Sequence, residues 1–506
     1  MCSELGAMRR IAAVLILLVS PALPGLARVS TNVPLDHWSY AAVDKLAGYG
    51  LIDSAMLSTR PISRFEMARH IAQAGYGLQN LDPVPDILRR IQERLEREFR
   101  AELIEIGLID DSHSNSFVKP VEDPYLRYLY TDSETSLENQ RGDQFDRHSN
   151  YRLGFATRGR FSEIAAFYFH PEYQDASGDS DGEIDLIEAY GKIMAGPIEI
   201  QAGKDSLWWG PARHGSILMS SNALPLRMIK ITNPQPVQLP WIFRSLGPYR
   251  AEWFFAQLED NRDVPEAKLS GLRLNFKPHA RWEVGLSRVV MFGGRGVPRV
   301  DLFDYAKMFL ARTEQVENNQ LAGFDTSLLL PLEEIPYARH LPLRSIRLYF
   351  DGAGEDEAGV LPSNWGLLYG LQLNDILKTG RTDLRIEYAD NHVTGKPDVF
   401  YNHSLYTSGY TYKGQILGHH MGTDSRDLFV QLSHYLTEDL ILDLSYDRQT
   451  HDLSGDSYPR VDIFQCDLTF FSSHAWQVRA GYRHEDGRGE GYEDNDILML
   501  QTVYDF

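Results

Sequence analysis

The chain has 506 residues, with 50 Lys and Arg against 70 Asp and Glu, so its formal net charge is −20. This acidic balance argues against a nucleic-acid partner, because phosphate backbones are bound mainly by Lys and Arg. The mean hydropathy is negative, and no long apolar run follows residue 30, which argues against a polytopic helical membrane protein. A β-barrel stays compatible with this average, because its strands alternate lipid-facing with lumen-facing residues.

The first 27 residues have the composition of a cleaved secretory signal. Two arginines precede an apolar core, and small residues lead up to Ala27. The uninterrupted apolar stretch covers only about half of the ~20 residues that a spanning helix needs, which argues against a membrane anchor. Cleavage after Ala27 removes Cys2 and leaves Cys466 as the one cysteine, so neither a disulfide nor a cysteine metal site is predicted.

The segment 28–115 has a helical period. The residues 36–38 precede a first helix, and Ser63 can cap a second, with Glu66 completing a capping box. A third helix is predicted from apolar residues at three- and four-residue steps, namely Leu88, Ile91, Leu95, Phe99, Leu103 and Ile106. Its charged residues, within 89–98, are expected to form a solvated face. We therefore predict a small α-helical domain.

Residues 33–72 resemble a single S-layer-homology repeat. The matching pieces are 34–43, 50–52 and 60–68. That family binds cell-wall polymers, and the resemblance implies Arg64 and Glu66 as candidates for binding the wall, with peptidoglycan as a possible partner. The alternative is that these two residues only cap and fix a helix, because a capping box accounts for both.

From residue 120 onward the period of the sequence is two. Each alternating segment is about ten residues long, the length of a tilted transmembrane strand. Such segments include 151–156, 268–277, 344–350, 382–388, 439–446 and 476–482. At about 20 residues per strand and turn, residues 124–506 accommodate about 18 strands. We predict an all-β, antiparallel transmembrane barrel in contact with outer-membrane lipid. A secreted sandwich or propeller is the competing fold, but it would expose apolar strand faces to water.

The last strand supports a barrel. Its one face carries Leu498, Leu500, Thr502, Tyr504 and Phe506. A terminal Phe with an aromatic residue two positions earlier resembles the closing strand of bacterial outer-membrane proteins, which the barrel-assembly machinery recognises. The resemblance implies the outer membrane of a Gram-negative-type bacterium, with assembly through the strand that ends in Phe506.

A more specific resemblance is found between residues 203 and 253. The matching stretches are 203–211, 215–225, 247–250 and Trp253. They resemble the Wzi capsule-assembly family, outer-membrane barrels that hold capsular polysaccharide at the cell surface. The resemblance implies that this chain binds and organises capsular or other surface polysaccharide, in capsule assembly or attachment. It also implies that the helical domain 28–115 lies in the periplasm.

Part of this stretch has the side chains that carbohydrate binding requires. Sugar rings pack their C–H faces on aromatic rings, and their hydroxyls pair with amides, carboxylates and guanidinium groups. The candidate polysaccharide-binding residues are Trp208, Trp209, Lys204, Asp205, Arg213 and Asn222. Two alternatives stay open. The tryptophans can belong to an interfacial aromatic girdle, or the segment can fold inward and plug the lumen, as its Gly, Pro and Asn content indicates.

No metal or cofactor site and no enzymatic activity are predicted. Residues 177–188 match part of a calcium-loop spacing, but their flanks have strand character. His419 and His420 are expected in an exposed turn. The motifs of common catalytic sites are missing from the sequence. Two alternatives to polysaccharide binding stay open: a wall-tethered porin, and a barrel glycan hydrolase whose carboxylates converge only in space.

Overall fold

The computed structural model describes residues 28–109, 116–177, 182–309, 317–358, 361–472, 475–489 and 491–504. The predicted signal segment 1–27 and the terminal Phe506 lie outside these residues. Within the described part of the chain, no helix is both long and apolar enough to traverse a bilayer.

Among the described residues, four helices precede the sheet: α1 (Ser39–Gly48), α2 (Arg64–Gln79), α3 (Asp86–Glu98) and α4 (Arg100–Glu105). Ser63 caps α2, and its hydroxyl accepts a hydrogen bond from the Glu66 N–H at 3.2 Å. The helices pack around one apolar core that includes Val43, Leu46, Ile71, Leu88 and Leu95. We call residues 28–109 the helical unit.

The predicted third helix is interrupted at Phe99, which separates α3 from α4. The Arg64 guanidinium lies 4.4 Å from the Phe99 ring centre, and its Nη2 donates to the Glu98 carbonyl at 2.9 Å. This bond gives a carbonyl at the end of α3 a partner outside the helix. The expectation of a fully solvated charged face is wrong for Arg94 and Glu98, because both side chains are buried in contacts.

Eighteen long antiparallel strands among the described residues form a closed barrel, which confirms the predicted fold and strand number. They are β1 (Phe117–Thr131), β2 (His148–Phe161), β3 (Ala165–Ala176), β4 (Glu183–Ala195), β5 (Ile198–Asp205), β6 (Leu226–Thr232), β7 (Pro248–Gln257), β8 (Lys268–His279), β9 (Trp282–Phe292), β10 (Asn318–Pro331), β11 (Leu343–Ala358), β12 (Leu361–Ile376), β13 (Thr382–Asp390), β14 (Arg426–Tyr435), β15 (Leu440–Thr450), β16 (Arg460–Phe471), β17 (Trp476–Arg488) and β18 (Asn495–Tyr504).

Each strand pairs with the next along the chain, and β18 closes the barrel on β1. In this last pair Tyr125 lies opposite Val503 and Thr131 lies opposite Ile497. A short helix, α5 (Leu302–Met308), lies in the connection between β9 and β10.

The two faces of the barrel wall differ as the alternation predicts. On β18, Leu498 and Leu500 are exposed on the outside, whereas Asn495 and Ile497 are buried inside. Buried charged residues that face inward on other strands include Arg158, Lys192, Glu252, Arg273, Asp325, Asp351, Glu387, Asp427 and Asp447. The negative mean hydropathy of the chain therefore reflects the polar residues that face the lumen, while the outer face of the barrel is apolar.

The two ends of the barrel have connections of different lengths. Short turns at one end include 162–164, 196–197, 280–281, 377–381 and 436–439. Long connections at the other end include 132–147, 206–225, 258–267, 391–425 and 451–459. The helical unit lies at the short-turn end, where Arg94 contacts Asp439 at 2.7 Å and Lys45 contacts Asp383 at 2.6 Å.

Candidate functional site

The connection 206–225 between β5 and β6 folds into the barrel, and we call it the plug. Trp209, Ile217, Leu218 and Met219 are each at most 2% exposed. They form one apolar core with inward-facing strand residues that include Phe254, Leu269, Val289, Leu321 and Leu368. Of the alternatives open from the sequence, the inward-folding segment is the arrangement that the structure shows.

Carboxylates of the barrel wall fix the backbone of the plug. Asp351 accepts the N–H of Ile217 at 3.0 Å, and Glu387 accepts the N–H groups of Arg213 and His214 at 2.9 and 3.0 Å. Because an unpaired buried N–H group is costly, these inward-facing acids permit an irregular segment to occupy the lumen.

The helical unit reaches the plug from the short-turn end. Its Thr59–Arg60 strand pairs with Trp208–Trp209 of the plug. The wall contributes Arg273, which contacts Asp325 through two bonds of 2.6 and 3.0 Å and donates to the Ser58 carbonyl at 2.9 Å. The helical unit and the plug therefore meet inside the barrel.

The predicted pair Trp208 and Trp209 lies in this junction. The two residues are 4% and 1% exposed. The Trp208 ring lies 5.1 Å from the Arg60 guanidinium, and Trp209 Nε1 donates to Glu252 at 2.7 Å. Direct sugar contact by these tryptophans stays a prediction, and in this arrangement it requires the plug to move.

The other four predicted sugar-binding residues are dispersed. Arg213 donates to the Tyr40 carbonyl at 2.8 Å, and Asn222 donates to the Ile416 carbonyl at 3.1 Å. Asp205 accepts a bond from Asn32 at 2.8 Å inside the lumen. Lys204 follows the strand alternation and lies on the opposite face, where Nζ donates to the Leu186 carbonyl at 2.5 Å. The fold does not bring these four side chains to one surface.

The wall-binding candidates lie inside the helical unit. Arg64 is 3% exposed, with ion pairs to Glu98 at 2.9 Å and Glu102 at 2.8 Å. Glu66 is 5% exposed, and burial raises its pKa to about 7. Wall binding by these residues stays a prediction, and their burial favours the capping role.

A cavity of about 590 Å³ lies between the helical unit and the wall formed by β1–β3 and β16–β18. Its aromatic lining consists of Trp38, Tyr125, Tyr168, Phe471, Trp476 and Tyr504. The charged lining consists of Arg94, Arg97, Lys119, Arg127 and Arg141 against Asp36, Glu98 and Asp123. Cations are therefore in excess among the described lining residues, although the whole chain is acidic.

A second cavity of about 330 Å³ continues toward the long-loop end. The two cavities share Asp36, Arg127 and Arg141, and we call them together the side passage. Polar side chains line the second cavity, among them Asn139, Gln140, Gln144, Gln174, Glu172 and Lys413. Amide, carboxylate and cationic groups of this kind can bind the hydroxyl and acidic groups of a glycan.

Ion pairs organise the middle of the side passage. Arg141 pairs with Asp36 of the helical unit and lies 3.6 Å from Glu188, and Arg127 lies 3.6 Å from Asp143. Desolvation opposes ionisation of the half-exposed Asp36 side chain, but Arg141 and Arg127 keep its pKa below the usual value. The cations of the side passage are therefore paired partly with acids from the helical unit and from a long connection.

Sequence reasoning missed the side passage, because its residues come from both ends of the chain.

The expectation of an exposed turn at His419 and His420 is wrong, because His419 is 1% exposed and the His420 side chain is 4% exposed. Of the calcium-loop candidate, residues 178–181 lie outside the described part, and Glu188 is 2% exposed on β4 inside the lumen.

The closed wall, the apolar outer face and the plug inside the lumen define an outer-membrane β-barrel with an inserted segment. The family model for the capsule assembly protein Wzi matches residues 119–496, so the chain belongs to the Wzi capsule assembly family.

Two relatives illustrate the similarity. An uncharacterised 55.8 kDa protein in the cps region of Klebsiella pneumoniae is 30% identical over 190 residues. That match spans about a third of the length of either chain, 36% of each. The solved structure of Wzi from Escherichia coli has a TM-score of 0.73 and 20% identity, and covers 95% of this chain and 100% of its own. That protein is a carbohydrate-binding β-barrel of the outer membrane and is involved in group 1 capsule assembly.

Proposed function

We propose that this protein binds an anionic surface polysaccharide in the side passage, and that it acts in capsule assembly or attachment by binding rather than by catalysis. The observation that carries the proposal is a passage lined by aromatic rings, with an excess of cations in its first cavity, beside the part of the lumen that the plug occupies. Membership of the capsule assembly family supports the biological role, and the carbohydrate binding described for the solved relative supports the ligand class.

The side passage offers two kinds of contact along its length. At the short-turn end, the aromatic rings of Trp38 and Tyr125 line the passage, where sugar C–H groups can pack on them. Toward the long-loop end, Arg127 and Lys413 offer charge to glycan carboxylates. Short turns face the periplasm in such barrels, so we place the helical unit there and the second cavity toward the cell surface.

Two further partners stay predictions. Assembly through the barrel-assembly machinery depends on the last strand and its terminal Phe506. Phe506 itself lies outside the described residues. Peptidoglycan binding depends on Arg64 and Glu66 becoming accessible. Neither partner is needed for polysaccharide binding in the side passage.

The proposal is tested by the affinity of the detergent-purified protein for purified acidic capsular polysaccharide. Replacing one charged contact costs about 1.5–3 kcal/mol, so Arg127→Gln and Lys413→Gln should each weaken binding by about tenfold or more. Lys396→Gln is the matched control, because Lys396 is an exposed lysine of the same long connection as Lys413 but does not line the passage. Wild-type affinity in both Arg127→Gln and Lys413→Gln would contradict the proposal.

The predicted tryptophan contact is tested separately. If Trp208 and Trp209 bind sugar directly, Trp208→Ala and Trp209→Ala should lose glycan affinity at unchanged thermal stability. If they only pack the plug, as their burial favours, both variants should unfold at lower temperature, and the affinity of the remaining folded protein should change little. Calorimetry and glycan titration on the same samples distinguish the two roles.

A further inference from the structure

Four side chains from distant parts of the chain meet beside the plug. His214 belongs to the plug, His420 to the connection 391–425, Asp427 to β14 and Asp447 to β15. One nitrogen or oxygen atom of each residue lies within 4.8 Å of the others. His214 Nε2 is 3.1 Å from Asp447 Oδ2 and 3.7 Å from Asp427 Oδ2, and His420 Nε2 is 2.9 Å from Asp427 Oδ2.

The cluster is removed from water. The side chains of His420, Asp427 and Asp447 are 4%, 2% and 5% exposed, and that of His214 is 13% exposed. Buried charges are costly unless they are paired, so two buried carboxylates require two positive charges. The nearby acid Glu138 is already paired with Arg483 at 2.6 Å and does not compete for that charge.

One carboxylate oxygen of the cluster is not bonded to the protein. Asp447 Oδ1 is buried and has no hydrogen-bond partner among the described residues. In contrast, Asp447 Oδ2 accepts a bond from Gln449 at 2.7 Å in addition to its contact with His214. Since buried polar atoms are nearly always bonded, the cluster has binding capacity that its protein neighbours do not use.

We propose that His214, His420, Asp427 and Asp447 bind one divalent transition-metal ion of the zinc class. A tetrahedral ion with bonds of 2.0–2.2 Å holds its ligand atoms about 3.3–3.6 Å apart, and the three contacts of the cluster bracket that spacing. One dication balances two carboxylates while both imidazoles stay neutral, the form that binds metals. Two imidazoles with two carboxylates suit zinc, whereas an all-oxygen set would favour calcium or magnesium.

The surroundings orient the ligands. The His214 ring stacks on Phe429, with ring centres 3.8 Å apart and an angle of 7° between the planes. The His420 ring meets the His214 ring edge-on at 4.5 Å. The backbone of His214 is fixed from both sides, by Glu387 at its N–H and by Asn139 at its carbonyl. A bound ion therefore joins the plug, one long connection and two wall strands, an effect that goes beyond polysaccharide binding.

The experiment titrates Zn²⁺ into the full-length, detergent-purified protein after treatment with a chelator. The wild type should bind one equivalent per chain, and Co²⁺ in the same site should show the visible absorption bands of a four-coordinate ion. His420→Gln and Asp447→Asn each remove one ligand, so each should weaken Zn²⁺ binding by roughly 100-fold or more. Asp447→Asn keeps the side-chain shape and remains informative if His420→Gln fails to fold.

His392→Gln is the matched control. His392 lies in the same long connection as His420 and pairs with one carboxylate, Asp424, at 2.6 Å. This variant should keep the wild-type affinity for Zn²⁺. The proposal is overturned if the folded wild type binds no Zn²⁺, or if His420→Gln and Asp447→Asn bind it as tightly as the wild type does.

Discussion

The helical unit and the plug both occupy the barrel, but they are held by different chemistry. Ion pairs hold the helical unit against the wall, among them Lys45 with Asp383, Arg94 with Asp439, Asp44 with Arg385, Glu102 with Arg158 and Glu105 with Arg160. Apolar packing holds the plug, with wall carboxylates binding its backbone. The comparison shows that the same barrel interior binds the helical unit through charged wall residues and binds the plug through apolar wall residues.

This difference has consequences for mutation. A buried ion pair depends on both partners, because removing one leaves an uncompensated charge. An apolar contact loses energy in proportion to the volume removed. The helical unit should therefore respond to charge changes and to acid, whereas the plug should respond to loss of side-chain volume.

The largest effect is expected from Asp44→Ala in the helical unit. Asp44 lies 2.9 Å from Arg385 and 3.8 Å from Arg213, and it also contacts Arg347. Its removal takes away the carboxylate that Arg213, Arg347 and Arg385 share, so the free energy that keeps the unit docked should fall by roughly 3–5 kcal/mol. Limited proteolysis of residues 28–109 measures this release.

The control for Asp44 is Asp86→Ala. Asp86 forms an exposed pair with Arg89 on the same unit, and such pairs contribute about 0–1 kcal/mol. Equal protease resistance of Asp44→Ala and Asp86→Ala would show that ion pairs do not hold the helical unit in place.

A somewhat smaller effect is expected from Ile217→Ala in the plug. Ile217 is 0% exposed within the apolar core. Truncating a buried Ile costs roughly 2–5 kcal/mol, so the variant should unfold at lower temperature in calorimetry. The control Ile242→Ala changes a residue that is 81% exposed and should stay within about 0.5 kcal/mol of wild type. Matching stability of the two variants would rule out tight packing of the plug.

A smaller and graded effect is expected from acid. Burial opposes the charge of Glu102, but Arg64 and Arg158 lower its pKa from 4.5 to about 2. A carboxylate with a lowered folded pKa contributes stability above pH 4.5 that is lost as the pH falls toward 2. Protease sensitivity of the helical unit should therefore rise across this window, while the plug stays protected in hydrogen exchange. Acid release of the plug before the helical unit would contradict the comparison.

Much of the fold could be predicted from local sequence period. The apolar steps from Leu88 to Leu103 and the alternation on β18 each depend on neighbours a few residues away, so both were accessible from the sequence. The break between α3 and α4 at Phe99 could not be predicted in this way, because it depends on Arg64 from another helix.

The site was less accessible to sequence reasoning. The Gly, Pro and Asn content around Trp208 permitted a girdle, a sugar site or a plug, and only the tertiary contacts distinguish burial from exposure. His214, His420 and Asp447 are separated by long stretches of chain. The pairing of β14 with β15 places Asp427 beside Asp447, and two long connections bring His214 and His420 to them. Convergence of this kind leaves no spacing motif in the sequence.

Ion conductance across planar bilayers tests most directly whether the helical unit and the plug together close the barrel. Asp205 pairs with Leu226, so a short turn can replace 206–225 without breaking the wall. The wild type should show no steady porin-like conductance, and the plug replacement combined with Asp44→Ala should conduct. Steady conductance through the wild type, as expected of a wall-tethered porin, would contradict the account, and so would a folded double variant that insulates.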